Sequence, residues 1–206
     1  MQSAARVADQ ALVGLTRQHR QALAAFMVLV VCGLGWHERE QRLHTQTLAS
    51  LAASQIAGRP VSVRCPGVLK RTFLQEINHG TVKFVDGRPV DETHLSGEAC
   101  GGLRRLVAEG DRLDLRCLQL DACPADDTQV ALGVAVLAHE AVHLRGVADE
   151  AATECESVRR AAGVARILGA TAPAAAYIAD WKFSVGADHL PDQYQNSGDC
   201  RVEPGR

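Results

Sequence analysis

Two histidines and a glutamate form a five-residue motif, His139-Glu140-Ala141-Val142-His143, in this chain of 206 residues. On an α-helix, residues four apart lie one turn apart on the same face, so the two imidazoles can meet one ligand with the carboxylate beside them. In the H-E-x-x-H pattern the two histidines bind zinc and the glutamate acts as a general base. A single histidine would indicate an ordinary hydrogen-bonded core or surface residue. The pair with Glu140 favours a zinc site.

The sequence around the motif predicts a helix over residues 126–146. It begins with acidic residues and Thr128, which suit an N-cap, contains no proline, and ends at Gly146, which suits the left-handed position after a helix. Its apolar side chains surround the axis instead of forming one stripe, which indicates a helix buried on nearly all sides. Burying imidazoles and a carboxylate there without partners costs on the order of several kcal/mol. A divalent cation is therefore the expected partner.

A third protein ligand would complete a zinc site that keeps one position for water. A second helix is predicted over residues 149–168, with acidic residues in its first turns, arginines later and Gly169 after it. Glu150 and Glu154 lie one turn apart on one face of this helix. A short turn over residues 146–148 could fold that face against the two imidazoles.

These residues resemble the zincin metallopeptidases. His139-Glu140-Ala141-Val142-His143 followed by a helix with E-x-x-x-E is most similar to the gluzincin branch. The resemblance implies that His139, His143 and Glu150 bind Zn²⁺, that Glu140 is the catalytic base, and that Glu154 supports a ligand from behind. It also implies a substrate-binding strand beside the helix, in VSVRC or TVKF. The C-terminal half further resembles small membrane-anchored HExxH proteins of high-GC bacteria.

An alternative third ligand is Asp149. The spacing H-E-x-x-H-x-x-G-x-x-D, from His139 through Gly146 to Asp149, resembles the metzincins. That family places a methionine turn after the motif, whereas the methionines here are Met1 and Met27. Asp149 also suits the N-cap of the second helix. Glu150 is favoured, and Asp149 and Glu154 stay as alternatives.

The N-terminal region contains an uncharged apolar run over residues 22–36. As a helix it spans roughly 22 Å, which suits a signal anchor extended by its flanks or the apolar part of a cleaved signal peptide. Three arginines precede it, at positions 6, 17 and 20, and two follow, at 39 and 42. This bias favours a cytoplasmic N-terminus with the domain outside. We expect an anchor over residues 1–36, a linker over 37–59 and an extracytoplasmic domain over 60–206.

Cysteine usage agrees with export. Cys32 lies in the apolar run and the other six form an even set, which is typical of disulfides in an oxidising compartment: Cys65, Cys100, Cys117, Cys123, Cys155 and Cys200. Cys117 and Cys123 are expected to close a local loop, and Cys155 could hold the tail through Cys200. A second zinc site built from these cysteines would lack the usual C-x-x-C spacing.

Composition and pattern predict a helix-dominated α+β fold. Hydrophobic residues make up 47% of the chain, and the net charge of -2 offers no footprint for nucleic acid. Short alternating segments over residues 60–74 and 80–90 predict strands, with a hairpin turn at Asp86-Gly87. Further helices are expected over 95–109 and 172–183. The tail over 188–206, with His189 and Tyr194, reads as a loop.

We expect a peptidase that hydrolyses peptide bonds outside the cytoplasm. It would be a single-pass membrane protein, or a secreted one if the apolar run is cleaved. Water held by zinc would have its pKa lowered to about 7, and Glu140 would take its proton as it attacks a peptide carbonyl. The expected partners are a peptide or protein substrate and the membrane. The alternative is a non-catalytic cell-envelope binding module braced by metal and disulfides.

Overall fold

A computed structural model describes residues 17–67, 79–120 and 122–188. The chain divides into two compact units, Met1–Gln41 and Arg42–Arg206. Helices dominate and a three-stranded sheet accompanies them, so the prediction of a helix-dominated α+β fold is confirmed. The predicted tail, with His189 and Tyr194, lies outside the described residues except for its first position.

The first helix, α1, runs from Arg17 to Ala57 and is about 60 Å long at 1.5 Å per residue. In the first unit the large apolar side chains of this helix are exposed. The exposed fractions of Phe26, Leu29 and Trp36 are 62%, 70% and 66%. From Gln21 onward the helix is long and apolar enough to cross a membrane, by length and composition. That part of the anchor prediction is confirmed.

In the second unit, the end of α1 belongs to the core. Ala49, Ala52 and Ala53 are fully buried, with the three- and four-residue spacing of one helix face. Polar side chains of this segment bind the backbone of the strand that follows. Ser50 Oγ accepts from Val63 N at 2.9 Å, and the side chains of Gln46 and Ser54 act in the same way on neighbouring amides. Residues 37–57, which were predicted to link anchor and domain, are therefore helical, and part of them packs inside the domain.

The sheet has the strand order β1-β3-β2, where β1 is Ser62–Arg64, β2 is Gly80–Val85 and β3 is Arg88–Leu95. β1 runs parallel to β3, while β2 pairs antiparallel with it in the predicted hairpin. Asp86 and Gly87 both have positive φ, 50° and 73°, as the tight hairpin turn requires. The hairpin prediction is confirmed, and β2 is an edge strand.

Two helices pack closely after the sheet. α2 is Gly97–Glu109, capped by the Ser96 side chain, and α3 is Ala125–Leu144, with a 3-10 turn at Arg116–Leu120 between them. A Cβ on Gly102 would lie 2.0 Å from the Gln129 carbonyl oxygen, so this crossing depends on glycine. α3 has Pro124 at its N-cap with no side-chain cap, so the prediction of an acidic or Thr cap is wrong. Asp126 and Asp127 lie in the first turn, where they face the positive end of the helix dipole.

The last two helices fold back on α3. α4 is Glu150–Ile167 and α5 is Ala172–Asp188, and both contact α3 and each other. Gly146, with φ of 107°, turns the chain between α3 and α4, as predicted. Asp149 caps α4 by accepting from Ala152 N at 2.8 Å, also as predicted.

Disulfides brace the second unit. The Cys117–Cys123 bond confirms the predicted local loop, and a second bond joins Cys65 after β1 to Cys100 in α2. Cys155 is disulfide-bonded, and Cys200, its predicted partner, lies outside the described residues. Two cystines among the described residues agree with an oxidising compartment.

Candidate metal centre

The last turns of α3 carry the site. From Val130 to Leu144 this helix is buried on nearly all sides, as predicted. His143 and Glu140 are buried, with 7% and 6% of their surface exposed, while His139 is partly open to solvent. The histidine rings lie one helical turn apart with centroids 4.7 Å from each other.

Three ligand-type atoms converge at the end of α3. His139 Nε2 lies 3.0 Å from His143 Nε2, and Glu150 Oε2 lies 3.1 Å from the first and 3.3 Å from the second. Glu150 reaches them because the Gly146 turn brings the first turn of α4 beside the motif. The structure thus brings together the three residues that were predicted from the sequence as metal ligands.

The hydrogen-bond partners of the two Nδ1 atoms determine the tautomers of the imidazoles. His143 Nδ1 lies 2.7 Å from the Val147 carbonyl oxygen, which can only accept, so this nitrogen donates. His139 Nδ1 lies 2.9 Å from Glu154 Oε2 and donates to that carboxylate. In the neutral rings both Nε2 atoms are then acceptors, and they face each other and a carboxylate oxygen. A group of acceptors so arranged suits a cation.

The spacing of the three atoms fits zinc. Zn²⁺ takes four ligands in a tetrahedron with bonds of about 2.0–2.1 Å to imidazole nitrogen and similar bonds to carboxylate oxygen, which makes the tetrahedron edges roughly 3.3 Å. The observed separations of 3.0 to 3.3 Å are close to that edge. Imidazole and carboxylate are also donors that zinc accepts.

Asp149 does not join the group. Its carboxylate accepts from Ala152 N at the start of α4, as an N-cap does. Among the described residues, one group that contains histidine has all its ligand atoms within 4.8 Å of one another. Its members are His139, His143 and Glu150. The geometry therefore favours Glu150 over Asp149 as the third ligand.

Glu154 lies behind His139 and is held by a buried cation. Its Oε1 accepts from Lys182 Nζ of α5 at 2.8 Å while Oε2 accepts from His139. Burial by itself raises the pKa of Glu154, but the hydrogen bond from His139 and the charge of Lys182 outweigh it and lower the pKa to about 2. Burial in turn lowers the pKa of Lys182, against the attraction of Glu154. This carboxylate is therefore ionised at neutral pH, where it orients the ring.

The side chain of Glu140 extends from α3 toward the sheet. Burial raises its pKa to about 7; the nearby charge of Glu150 acts in the same direction, and His139 and the Thr93 hydroxyl oppose it. Its Oε2 is buried without a hydrogen-bond partner among the described residues. A carboxyl group with a pKa near neutrality and an unused oxygen suits proton transfer at neutral pH.

The edge strand β2 runs alongside this site. A Cβ on Gly80 would lie 2.6 Å from both Cγ and Oε1 of Glu140, so the strand approaches this carboxylate as closely as glycine allows. Farther along, Phe84 meets His143 edge-on, with ring centroids 6.2 Å apart. Of the two segments predicted as a substrate strand, TVKF contributes Phe84 to these contacts, and Gly80 immediately precedes it.

Sequence reasoning missed three residues that shape the site. Lys182 is one of three lysines in the chain, and it follows Ala174 and Ile178 at four-residue intervals on the buried face of α5. A lysine on an apolar stripe was a usable signal. Gly80 and Thr93 carry no comparable signal, because their roles arise from the packing of the hairpin on α3.

No protein-family model, no curated protein and no solved structure matches this chain.

Proposed function

We propose that this protein is a membrane-anchored, zinc-dependent peptidase whose domain lies outside the cytoplasm. His139, His143 and Glu150 are the metal ligands, and Glu140 is the general base. The observation that carries the proposal is the convergence of two imidazole acceptors and one carboxylate oxygen within 3.0 to 3.3 Å, with both imidazoles oriented from behind.

The number of ligands supports catalysis over a purely structural metal site. Structural zinc sites use four protein ligands, whereas catalytic sites use three and keep a position for water or substrate. The described residues supply three, since Asp149 is engaged as a helix cap. Glu150 keeps 37% of its side-chain surface exposed, so solvent reaches this side of the group.

Glu140 supplies the base. It is on the same helix as both histidine ligands, and its Oε2 has no partner in the described structure that would compete for a proton. Bound here, zinc would activate water and polarise a substrate carbonyl. The role of Glu140 is to hold the proton removed from the water and to pass it to the leaving amine.

The sheet edge supports a peptide as substrate. β2 pairs with β3 on one side, and the strand order leaves its other edge without a strand among the described residues. An extended peptide can add to such an edge through main-chain hydrogen bonds. Because β2 passes both Glu140 and His143, a peptide on it would lie along the site.

The location outside the cytoplasm rests on two features. α1 has the length and composition to cross a membrane, and the domain has cystines that persist in oxidising compartments. The arginine bias around the apolar run agrees with this orientation.

The test is the Glu140→Gln variant of the full chain in detergent, measured for zinc content and for cleavage of a peptide library. We expect stoichiometric zinc in both proteins and a loss of turnover of about 100- to 10,000-fold in the variant, the range that general-base catalysis contributes. Glu109→Gln, on the exposed end of α2, is the matched control and should cleave normally.

Two outcomes would count against this function. Equal cleavage by the wild type and Glu140→Gln would remove Glu140 as the base. Tight zinc binding with no cleavage of any peptide by the wild type would instead favour the metal-braced binding module.

A further inference from the structure

Lys182 is the described lysine that is buried next to the metal centre. It projects from α5 and keeps 5% of its side-chain surface, the same fraction as its partner Glu154. Removing an ammonium group from water is energetically costly, so a buried lysine needs compensating contacts. The pair joins α4 to α5 and also continues toward the proposed metal ligands.

The Glu154 carboxylate divides its two oxygens between two partners. Oε1 accepts from Lys182 Nζ at 2.8 Å, and Oε2 accepts from His139 Nδ1 at 2.9 Å. The Ser157 hydroxyl lies farther from Oε2, at 3.4 Å, and donates to the Glu154 carbonyl oxygen at 2.7 Å. The lysine therefore determines which way the carboxylate plane faces, and the carboxylate determines the orientation of the His139 ring.

We propose that Lys182 is a positioning residue of the metal centre: its buried ammonium fixes the Glu154 carboxylate, which in turn directs His139 Nε2 toward the cation. This inference rests on the proposed metal site. It makes α5, which carries none of the three ligands, part of the machinery that binds the metal. Partners behind a metal ligand commonly change metal affinity 10- to 100-fold when they are removed.

Charge supports this assignment. Glu140, Glu150 and Glu154 bring three carboxyl groups to one end of α3, and the ammonium group of Lys182 contacts one of them. A dication facing these acids and one ammonium behind them would balance the charge of three carboxylates. Without Lys182 the carboxylate of Glu154 would have one buried oxygen without its donor, which is unfavourable for a charged group.

The test uses Lys182→Met in the full chain, solubilised in detergent. Methionine has a similar unbranched shape without the charge. We expect zinc affinity, measured by competition with a chelator, to fall about 10- to 100-fold. The visible absorption of the cobalt-substituted protein should also change, because the orientation of a ligand ring changes. The matched control is Arg160→Met, which removes the exposed Arg160–Glu156 pair from α4 and should leave both measurements unchanged.

A second variant covers the case in which Lys182→Met does not fold. Glu154→Gln combined with Lys182→Met contains no buried unpaired charge, and circular dichroism establishes that it is folded. The neutral amide has no ammonium to orient it, so zinc affinity should again be reduced about 10- to 100-fold. Where Lys182→Met and a single Glu154→Gln both fold, the combined change should cost less zinc affinity than the sum of the two single changes, because both act on one chain of contacts.

The outcomes separate the two proposals. Zinc affinity and a cobalt spectrum like those of the wild type in either folded variant would overturn the role of Lys182 and leave the metal site intact. A wild-type protein that binds neither metal would overturn the metal site itself.

Discussion

Two groups of residues in the described part of the chain bring three ligand-type side chains within 4.8 Å of one another. One is Cys117, Cys123 and Asp127 near the start of α3, and the other is His139, His143 and Glu150 near its end. In the first, the two sulfurs are bonded to each other and Asp127 pairs with Arg105 at 2.7 Å. The sulfurs are not thiolates, and the carboxylate already has its cation.

The second group differs in where its protons lie. Each imidazole has an acceptor behind its Nδ1, so in the neutral ring the nitrogen that faces inward is an acceptor. Proximity of ligand-type residues therefore does not by itself define a metal site. The bonds and protons that those residues already hold decide whether a cation suits them.

The largest effect should come from removing a ligand directly. In His143→Ala we expect zinc affinity to fall on the order of 1,000-fold or more, beyond the range of about 10- to 100-fold for residues behind a ligand. Cys117→Ser combined with Cys123→Ser should bind zinc as the wild type does. Dialysis against chelator-buffered zinc measures both. If the cysteine variant lost zinc and His143→Ala retained it, the group around Cys117 and Cys123 would be the metal site instead.

The buried base gives the next effect, on the stability of the metal-free protein. Glu140 has a pKa of about 7 in the fold, above its ordinary value of 4.5, so the unfolded state ionises first as pH rises. The contribution of Glu140 to the stability of the wild type is therefore lost between about pH 4.5 and pH 7, and Glu140→Gln does not have this loss. Above pH 7 the variant should be more stable by up to about 3 kcal/mol, from 1.36 kcal/mol per pKa unit.

Urea unfolding with a chelator present, at pH 4 and pH 8, measures this difference. At pH 4 the two proteins should have nearly equal free energies of unfolding, because Glu140 is protonated in both states. Glu109→Gln, at the exposed end of α2, should stay within about 0.5 kcal/mol of the wild type at both values. A stabilisation by Glu140→Gln that does not vary with pH would contradict the burial of this charge.

Much of this architecture could be predicted from local signals. The hairpin followed from Asp86-Gly87, the turn between α3 and α4 from Gly146, and the N-cap of α4 from Asp149, since each depends on the backbone preference of a few adjacent residues. The grouping of His139, His143 and Glu150 followed from spacing within one helix and across one turn. Pro124, directly after the Cys117–Cys123 loop, occupies the N-cap of α3 in place of the expected acidic or Thr cap.

The contacts between separate elements that hold the site in place could not be predicted in the same way. Lys182 meets Glu154 across 28 positions of sequence, and Gly80 meets Glu140 from a different element. The Cys65–Cys100 bond likewise was one choice among fifteen pairings of six cysteines. These contacts depend on how separate elements pack, which no short window of sequence contains.

Gly80 offers a narrower test of the site. A Cβ at this position would lie 2.6 Å from Glu140 Oε1, so Gly80→Ala must move the base or the strand. We expect turnover to fall about 100-fold, as for a displacement of about 1 Å in an active site, while zinc stays bound. Gly163→Ala, on α4, is the matched control because nothing lies within 4 Å of its added Cβ. Equal turnover in the two variants would show that Glu140 does not need this close fit.

The smallest effect should come from the cysteine loop. The Cys117–Cys123 bond closes a loop with a sequence separation of 6, and a loop of that length restricts the unfolded chain by only about 2 kcal/mol. Replacing both residues with serine should lower the free energy of unfolding by about that amount in urea, with zinc affinity and peptide turnover unchanged. A loss of zinc or of turnover in a folded variant would mean that this loop positions α3 and its metal ligands. Because Asp127 keeps its pairing with Arg105 when the sulfurs are gone, the start of α3 retains an anchor, and the effect should stay confined to stability.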